Sequence, residues 1–231
     1  MFKQRILVQF SVRGDVRFVS HHDLMRLLAR SARRAALPVA MSEGFNPRPR
    51  ISLLLARGVG VASDGEYAEF DLGEWVSAGE FARRLNEQLP EGLRAERVEI
   101  AHPSVRHRVA AIDYRVDWVQ ETVTGTLTPS RCLSPFPVTE ADVRRLMESP
   151  EVWVERQRKK SDGPRETKRV DIRPFLRELH AAAGSLSMSL AVTEQGTTRV
   201  EEVWQALGLD PDALLAGGVV TRTRMEVAAA R

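Results

Sequence analysis

The sequence contains one cysteine, Cys132, among 231 residues. A lone cysteine cannot form a disulfide within the chain, and structural zinc sites and iron–sulfur clusters need several ligands. The sequence therefore excludes a disulfide-built fold and an iron–sulfur cluster of the chain's own. We interpret Cys132 as a small apolar side chain.

Long apolar runs and nucleotide or metal motifs are also missing. No stretch approaches the roughly 20 apolar residues of a membrane helix. The start of the chain alternates charged and apolar residues, unlike a secretory signal. There is no P-loop, Gly-rich dinucleotide motif, HExxH or CxxC. We therefore expect a cytoplasmic protein with no membrane anchor, no cofactor and no metal.

The composition is that of an ordinary globular protein. Hydrophobic residues make up 43% of the chain and charged residues 28%, which is enough apolar material for a core. The formal net charge is +3. This mild excess permits nucleic-acid binding without requiring it, so the placement of the arginines matters more than their number.

Hydrophobic periodicity divides the first half into alternating strands and helices. Ser20 and Asp23 form a variant of a capping box at the start of the first helix, and Pro38 follows its end. The predicted elements are a hairpin or bent strand at 5–19, a helix at 20–37, strands at 51–55 and 66–72, a helix at 77–89 and a strand at 93–100. This β-α-β-β-α-β order is typical of the split βαβ unit of ferredoxin-like folds.

A stretch rich in His, Arg and Pro at 101–111 precedes a second series of elements. These are a strand at 111–119, a helix at 139–148, strands at 152–159 and 167–174 with a turn at 161–164, a short helix at 175–180, a strand at 185–192, a helix at 200–209 and a strand at 219–227. We therefore predict an α+β protein of two ferredoxin-like (split βαβ) halves packed together, at 1–103 and 111–231.

The first candidate for chemistry is the start of the first helix. His21 could act as an acid or base there, with Asp23 close by in sequence. The alternative is a capping box whose histidines lie at the surface or against the preceding strand. Neither a nucleophile nor a metal partner is close by in sequence, and His21 and the adjacent His22 point in different directions on a helix.

The second candidate is the loop between the first helix and the next apolar strand. Gly44, Phe45, Asn46, Arg48 and Arg50 combine an aromatic ring, an amide and two arginines. Two prolines favour extended backbone, so we expect both arginines to point to the same side. This mixture suits a nucleotide or phosphate ligand. A structured turn with solvated arginines is the alternative.

Two further basic groups could contact phosphates. Arg26 and Arg30 lie on one stripe of the first helix, which could equally be a solvated face. A basic ribbon in the second half could lie along RNA or DNA, or could be a charged hairpin that resists edge aggregation. The ribbon residues are Arg156, Arg158, Lys159, Lys160, Arg165, Lys168 and Arg169.

Residues 16–53 resemble the signature of the radical SAM-linked family, a domain family of unknown function. Its members carry Arg-Phe, Ser-His-x-Asp-Leu-x-Arg, Arg-Arg-Ala-x-Leu-Pro and Ser-x-Gly-Phe-Asn-Pro-x-Pro segments. The matching positions are Arg17, Phe18, Ser20, His21, Asp23, Leu24, Arg26, Arg33, Arg34, Ala35, Leu37, Pro38, Ser42, Gly44, Phe45, Asn46, Pro47 and Pro49. Glu66-Tyr67 and residues 168–174 extend the resemblance along most of the chain. His22 replaces a usually apolar residue and Arg48 a usual histidine, so histidine chemistry in the loop is in doubt while positive charge is kept.

The resemblance implies a partnership with a radical SAM enzyme, because such domains are often fused to one or encoded beside one. The resemblance does not identify any catalytic residue in this chain. We predict an accessory, RNA-binding module that presents or recognises the substrate of this enzyme. One alternative is a pure protein-docking domain for the same partner. Another is a metal-free RNA-processing enzyme that uses His21.

Overall fold

The computed structural model describes residues 2–118, 136–158, 166–210 and 218–230. Cys132, Lys159, Lys160, Arg165 and the predicted turn at 161–164 lie outside these ranges. The chain divides into two compact units. The first unit is Met1–Val109 together with Arg222–Arg231, and the second is Ala110–Thr221. The α+β class is confirmed.

The first unit includes two helices, four whole strands and the end of a fifth strand. Its elements are β1 (Gln4–Val12), α1 (His21–Arg34), β2 (Ile51–Leu53), β3 (Ala62–Leu72), α2 (Ala78–Asn86), β4 (Leu93–Ala101) and the end of β10 (Gly218–Ala230). The strand order is β4-β1-β3, with β2 and β10 also neighbours of β3. The pairs β1–β3, β1–β4 and β2–β3 are all antiparallel.

The segment after β1 differs from the predicted hairpin. A 3-10 helix at Gly14–Phe18 leads directly into α1. Arg13 donates its backbone N–H to the Gly92 carbonyl at 2.8 Å, so the two chain segments lie very close. Gly92 has φ +86, and a Cβ there would lie 2.4 Å from the Arg13 carbonyl oxygen. Only glycine fits this approach without a backbone shift.

The core of the first unit follows the predicted periodicities. Ile6, Val8 and Phe10 on β1 are at most 1% exposed. They belong to one buried cluster with the apolar stripes of α1 and α2. Phe70 on β3 and Phe81 on α2 meet edge to face at 5.3 Å between ring centroids. The helices therefore cover one face of this part of the sheet.

The second unit combines three neighbouring strands with a separate hairpin. Its elements include β5 (Arg106–Trp118), α3 (Glu140–Glu148), β6 (Trp153–Arg158), β7 (Glu166–Asp171), β8 (Leu176–Ala182), β9 (Ser185–Ala191) and α4 (Val200–Ala206). The sheet order is β5-β9-β8, and β6 pairs with β7. Trp204 on α4 is fully buried and stacks on Trp118 at 5.8 Å between ring centroids.

The predicted short helix at 175–180 was wrong. Arg173–Phe175 forms a 3-10 turn, and the following residues form β8, antiparallel to β9. Leu176 and Leu179 are buried. Their three-residue spacing suited a helix, but pairing with β9 satisfies the backbone of this segment instead.

No helix in the described ranges has both the length and the apolar character needed to cross a membrane.

Candidate functional site

The start of α1 is a well-formed N-cap, as predicted. The Ser20 hydroxyl accepts the backbone N–H of Asp23 at 3.2 Å and donates to the Asp23 carboxylate at 2.7 Å. Arg26 donates to the same carboxylate at 2.9 Å. The Ser20 hydroxyl, followed by Arg26, holds the pKa of Asp23 below its ordinary value. Asp23 is therefore an ionised capping residue that also binds Arg26.

His21 is half-buried, and its ring lies edge to face with His22 at 5.6 Å between centroids. Within the described residues, the buried Nδ1 of His21 has no hydrogen-bond partner. A general base is normally oriented by a second group on its other ring nitrogen. Asp23 does not supply that contact, so the catalytic role of His21 and Asp23 stays a prediction without a described orienting group.

A buried arginine anchors the backbone just before this helix. Arg57 is 7% exposed. Its guanidinium donates to the carbonyl oxygens of Arg17 at 2.8 Å and Val19 at 3.3 Å, and also to that of Val61. Burial lowers the pKa of Arg57, although the charge of Glu66 opposes this effect. Arg57 therefore fixes the residues on both sides of Phe18 and, through them, the position of Ser20.

Glu66 and Arg222 form a buried ion pair close to Arg57. Arg222 Nη1 lies 3.0 Å and 2.9 Å from the two carboxylate oxygens of Glu66, and each side chain is only 2% exposed. Arg222 also donates to the Ala56 carbonyl at 3.0 Å. Sequence reasoning missed this cluster, because its members are far apart in the chain. The Glu66-Tyr67 match to the family signature was the one available signal.

Backbone and side-chain hydrogen bonds join the two ends of the loop at residues 42–48, which form its neck. The Ser42 N–H donates to the Arg48 carbonyl at 2.8 Å, and the Arg48 N–H donates to the Ser42 hydroxyl at 2.9 Å. Gly44 adopts φ +117, which favours glycine. Phe45 follows it with a relative exposure of 106%. The loop therefore holds an aromatic ring fully in solvent.

The two loop arginines have different environments. Arg50 Nε lies 3.6 Å from an Asp71 carboxylate oxygen, and its guanidinium lies 5.3 Å from the centroid of the Phe2 ring. Asp71 is also bound by Arg5 at 2.7 Å. Arg48 is exposed, and no described residue forms an ion pair with it. The loop thus carries one guanidinium without a described ion pair, at Arg48, together with the exposed carboxylate of Glu43.

The sheet face opposite the helices of the first unit is covered at β1 and β3. Arg5, Glu69 and Asp71 on this face of β1 and β3 are 1%, 5% and 8% exposed. Arg5 donates to the Val105 carbonyl at 2.8 Å, and His107 Nδ1 lies 2.7 Å from Glu69. The segment around Val105 and His107 therefore covers these strands, and a nucleic acid cannot lie on them there.

The arginines of α1 are exposed. Arg26 pairs with Asp23, as described above, and Arg34 donates to the Gln88 carbonyl. Arg30 and Arg33 have no hydrogen-bond or ion-pair partner among the described residues. No described hydrogen bond or ion pair links this helix to loop residues 44–48, so the expected proximity of the two groups stays a prediction.

The basic ribbon in the second unit is only partly available. Arg156 on β6 donates to Glu202 at 2.6 Å and 2.8 Å, and this carboxylate is buried. Lys168 and Arg169 on β7 are exposed, and Arg169 lies over the Trp153 ring at 5.2 Å. Arg158 ends β6 opposite Glu166. Because Arg156 binds the buried Glu202 carboxylate, this arginine has a structural role.

In the described parts of the chain, no three His, Cys, Asp or Glu side chains come together as potential metal ligands.

Comparison with known families places the chain in a bacterial family. The model of a family described as an uncharacterized protein conserved in bacteria (DUF2344) matches residues 5–201. The match covers most of both units, including the α1 cap, the loop and the β6–β7 ribbon, and ends before β10. No curated protein matches the chain.

Proposed function

We propose that this chain, which belongs to the DUF2344 family, is an accessory module that binds RNA and presents it to a separate radical SAM enzyme. The observation that carries the proposal is the loop, where a fully exposed Phe45 ring and the unpaired Arg48 charge lie three residues apart. Aromatic rings that stack bases and arginines that contact phosphates are the usual elements of single-strand and loop recognition.

Exposed charge elsewhere supports the same function. Arg30 and Arg33 on α1, and Lys168 on β7, have no described counter-charge. Such arginines and lysines can neutralise phosphates and release counterions. Arg156 and Arg50, by contrast, bind buried carboxylates and contribute less.

The ferredoxin-like interpretation of the first half also belongs to this proposal. The order β4-β1-β3-β2 with antiparallel neighbours supports it. RNA-recognition modules of similar architecture bind RNA on the open sheet face. That face is occupied here by Arg5, Asp71 and their neighbours, so we assign RNA binding to the loop instead.

The choice of a radical SAM enzyme as the partner is supported by the signature at residues 16–53, which resembles that of the radical SAM-linked family. A radical SAM enzyme binds its cluster through several cysteines, and this chain has one. The partner therefore supplies the cluster, and the cytoplasm is the expected location of both. Co-purification of the tagged chain with the radical SAM protein encoded nearest to it tests this part.

Binding to RNA is tested by titrating the purified chain with total RNA and transfer RNA across a salt series. We expect micromolar or tighter binding at low salt, weakening as salt rises. Arg48→Ala should reduce the salt slope by about 1, as expected for one lost phosphate contact. Arg94→Ala, an exposed arginine on β4 paired with Glu96, is the matched control and should leave the slope unchanged. Absence of binding at low salt would contradict the proposal.

The second candidate is a pure docking domain for the radical SAM enzyme. It is favoured by two exposed apolar side chains of the loop region, Phe45 and Met41, the latter 50% exposed. Aromatic residues and methionine are enriched at protein interfaces. This function predicts partner binding that is insensitive to salt and lost in Phe45→Ala, with no RNA binding.

A further inference from the structure

We infer that the loop takes an unpaired nucleotide strand, with one base stacked on Phe45 and the adjoining phosphate on Arg48. The inference rests on the proposed function and specifies its substrate class. The proposed function requires only that the chain binds RNA, whereas this inference requires an unpaired strand, so the two statements can be separated by experiment.

The first step of the argument is that the loop is rigid at its base. Ser42 and Arg48 exchange two hydrogen bonds at 2.8 Å and 2.9 Å. Immediately beyond them, Arg50 donates its N–H to the Ala40 carbonyl at 2.8 Å, and the Asp71 N–H donates to the Arg50 carbonyl at 3.0 Å. Pro47 and Pro49 each fix one φ angle. The loop is thus anchored to β3 before any ligand binds, which lowers the entropy lost on binding.

The second step is the accessibility of the ring. Phe45 is as exposed as in an extended chain, and no described aromatic ring or cation lies against it. A side chain with a relative exposure of 106% leaves its ring open to solvent and to a ligand. A base in the interior of a duplex has both faces covered by its neighbours. Only an unpaired base can place a free face on this ring.

The third step is the position of the charge. Arg48 lies three residues after Phe45 and shares the rigid neck, whereas Arg50 is held by Asp71 and Phe2. A single guanidinium without an ion pair, three residues from a single exposed ring, suits one nucleotide step, in which a base and its neighbouring phosphate are contacted together. The covered face of β1 and β3 does not offer the stacking surface that RNA-recognition modules present to several consecutive bases.

The experiment measures fluorescence anisotropy with a labelled RNA of about 12 nucleotides, within the span of about 4–16 nucleotides that single-strand sites cover. The same RNA is also tested annealed to its complement, with abasic sugars in place of nucleotides, and as DNA. The variants are Phe45→Leu, which keeps an apolar side chain without a ring, and Phe45→Trp, which keeps a ring. Met41→Ala is the control for an exposed apolar residue of the same region.

We expect the unpaired RNA to bind more tightly than the duplex or the abasic strand. Phe45→Leu should weaken binding of the unpaired RNA by about 5- to 150-fold, the equivalent of one stacked base, and Phe45→Trp should retain it. Met41→Ala should have no effect. Phe45 is exposed, so neither substitution should change the melting temperature.

Equal binding of duplex and unpaired RNA, unchanged in Phe45→Leu, would overturn the inference while leaving the proposed function intact. Absence of RNA binding in every arm would overturn both. Tight binding of unpaired DNA with weak binding of RNA would retain base stacking on Phe45 and overturn the choice of RNA in the proposed function.

Discussion

At the scale of single residues, the first unit depends on a buried charge cluster behind the start of α1. Glu66 faces Arg222 directly, and the charge of Arg57 lies near enough to both to affect its pKa. We expect Glu66→Gln to lower the free energy of unfolding by about 3–5 kcal/mol, because the buried Arg222 guanidinium would lose this ion pair and the buried Arg57 would lose the opposite charge close to it. Urea unfolding followed by circular dichroism measures the effect.

The matched control is Glu99→Gln on β4. Glu99 pairs with Arg97, but their side chains are 47% and 71% exposed. Exposed ion pairs contribute about 0–1 kcal/mol because water screens them. If the two substitutions shifted the urea midpoint equally, the buried cluster would not have the structural role assigned to it.

Residue patterns predicted polar contacts only where the partner was local in sequence. Ser20 and Asp23 are three residues apart, and the sequence alone predicted their cap, which the structure confirms. Arg5 and Glu69 alternate with core residues on β1 and β3, so the same reasoning would place them in solvent. Both are buried, because the segment around Val105 and His107 covers that face. Local periodicity cannot predict burial by a segment that is dozens of residues away in the sequence.

At the scale of elements, Glu202 joins α4 to the β6–β7 ribbon. Burial raises the pKa of Glu202, but hydrogen bonds from Arg156, the Arg199 backbone and Thr198 outweigh it, and the pKa is lowered overall from its ordinary value of 4.5. A carboxylate with a lowered folded pKa contributes stability above its unfolded pKa and loses it as pH falls through the folded pKa. The stabilisation by Glu202 is therefore complete near neutral pH and disappears in acid.

We accordingly expect Glu202→Gln to lower the free energy of unfolding by about 2–3 kcal/mol at neutral pH, the contribution of hydrogen bonds to a charged group. The difference from the unmodified chain should shrink as pH falls from about 4.5 through the lower pKa of the folded state, below which the carboxylate is neutral in both states. Urea midpoints across a pH series measure this. Glu201→Gln, one residue earlier on α4, is the control. A pH-independent difference for Glu202→Gln would contradict the assignment.

Elements themselves were largely predictable, and the exceptions have a common cause. The helices α1, α2, α3 and α4 all occur within their predicted segments, since each has an apolar stripe and three of them begin with a serine or threonine cap. The failure at β8 came from Leu176 and Leu179, whose spacing fits a helix. Backbone pairing with β9 makes this segment a strand. The pattern of a single segment carries no information about which other strand will pair with it.

At the scale of the whole molecule, the chain returns to its first unit at its end. Arg222–Arg231 group with Met1–Val109 although more than a hundred residues separate them. The strand at 219–227 was predicted from alternation, but its neighbour β3 could not be, because strand order depends on tertiary pairing. The Ser63 hydroxyl donates to the Arg222 carbonyl at 3.3 Å, and Met225 is 4% exposed. The first unit is therefore completed only when the last strand is in place.

Two shortened chains test this dependence. A chain that ends after Val227 keeps Arg222 and Met225, so we expect a melting temperature close to that of the full chain. A chain that ends after Thr221 loses both, leaves Glu66 and Arg57 without Arg222, and exposes the edge of β3. Because a lost buried pair costs at least about 3 kcal/mol and each kcal/mol shifts melting by about 2–4 °C, we expect a decrease of about 6 °C or more. Limited proteolysis should then cut the first unit before the second. Equal melting of the two shortened chains would show that the first unit is stable without its last strand.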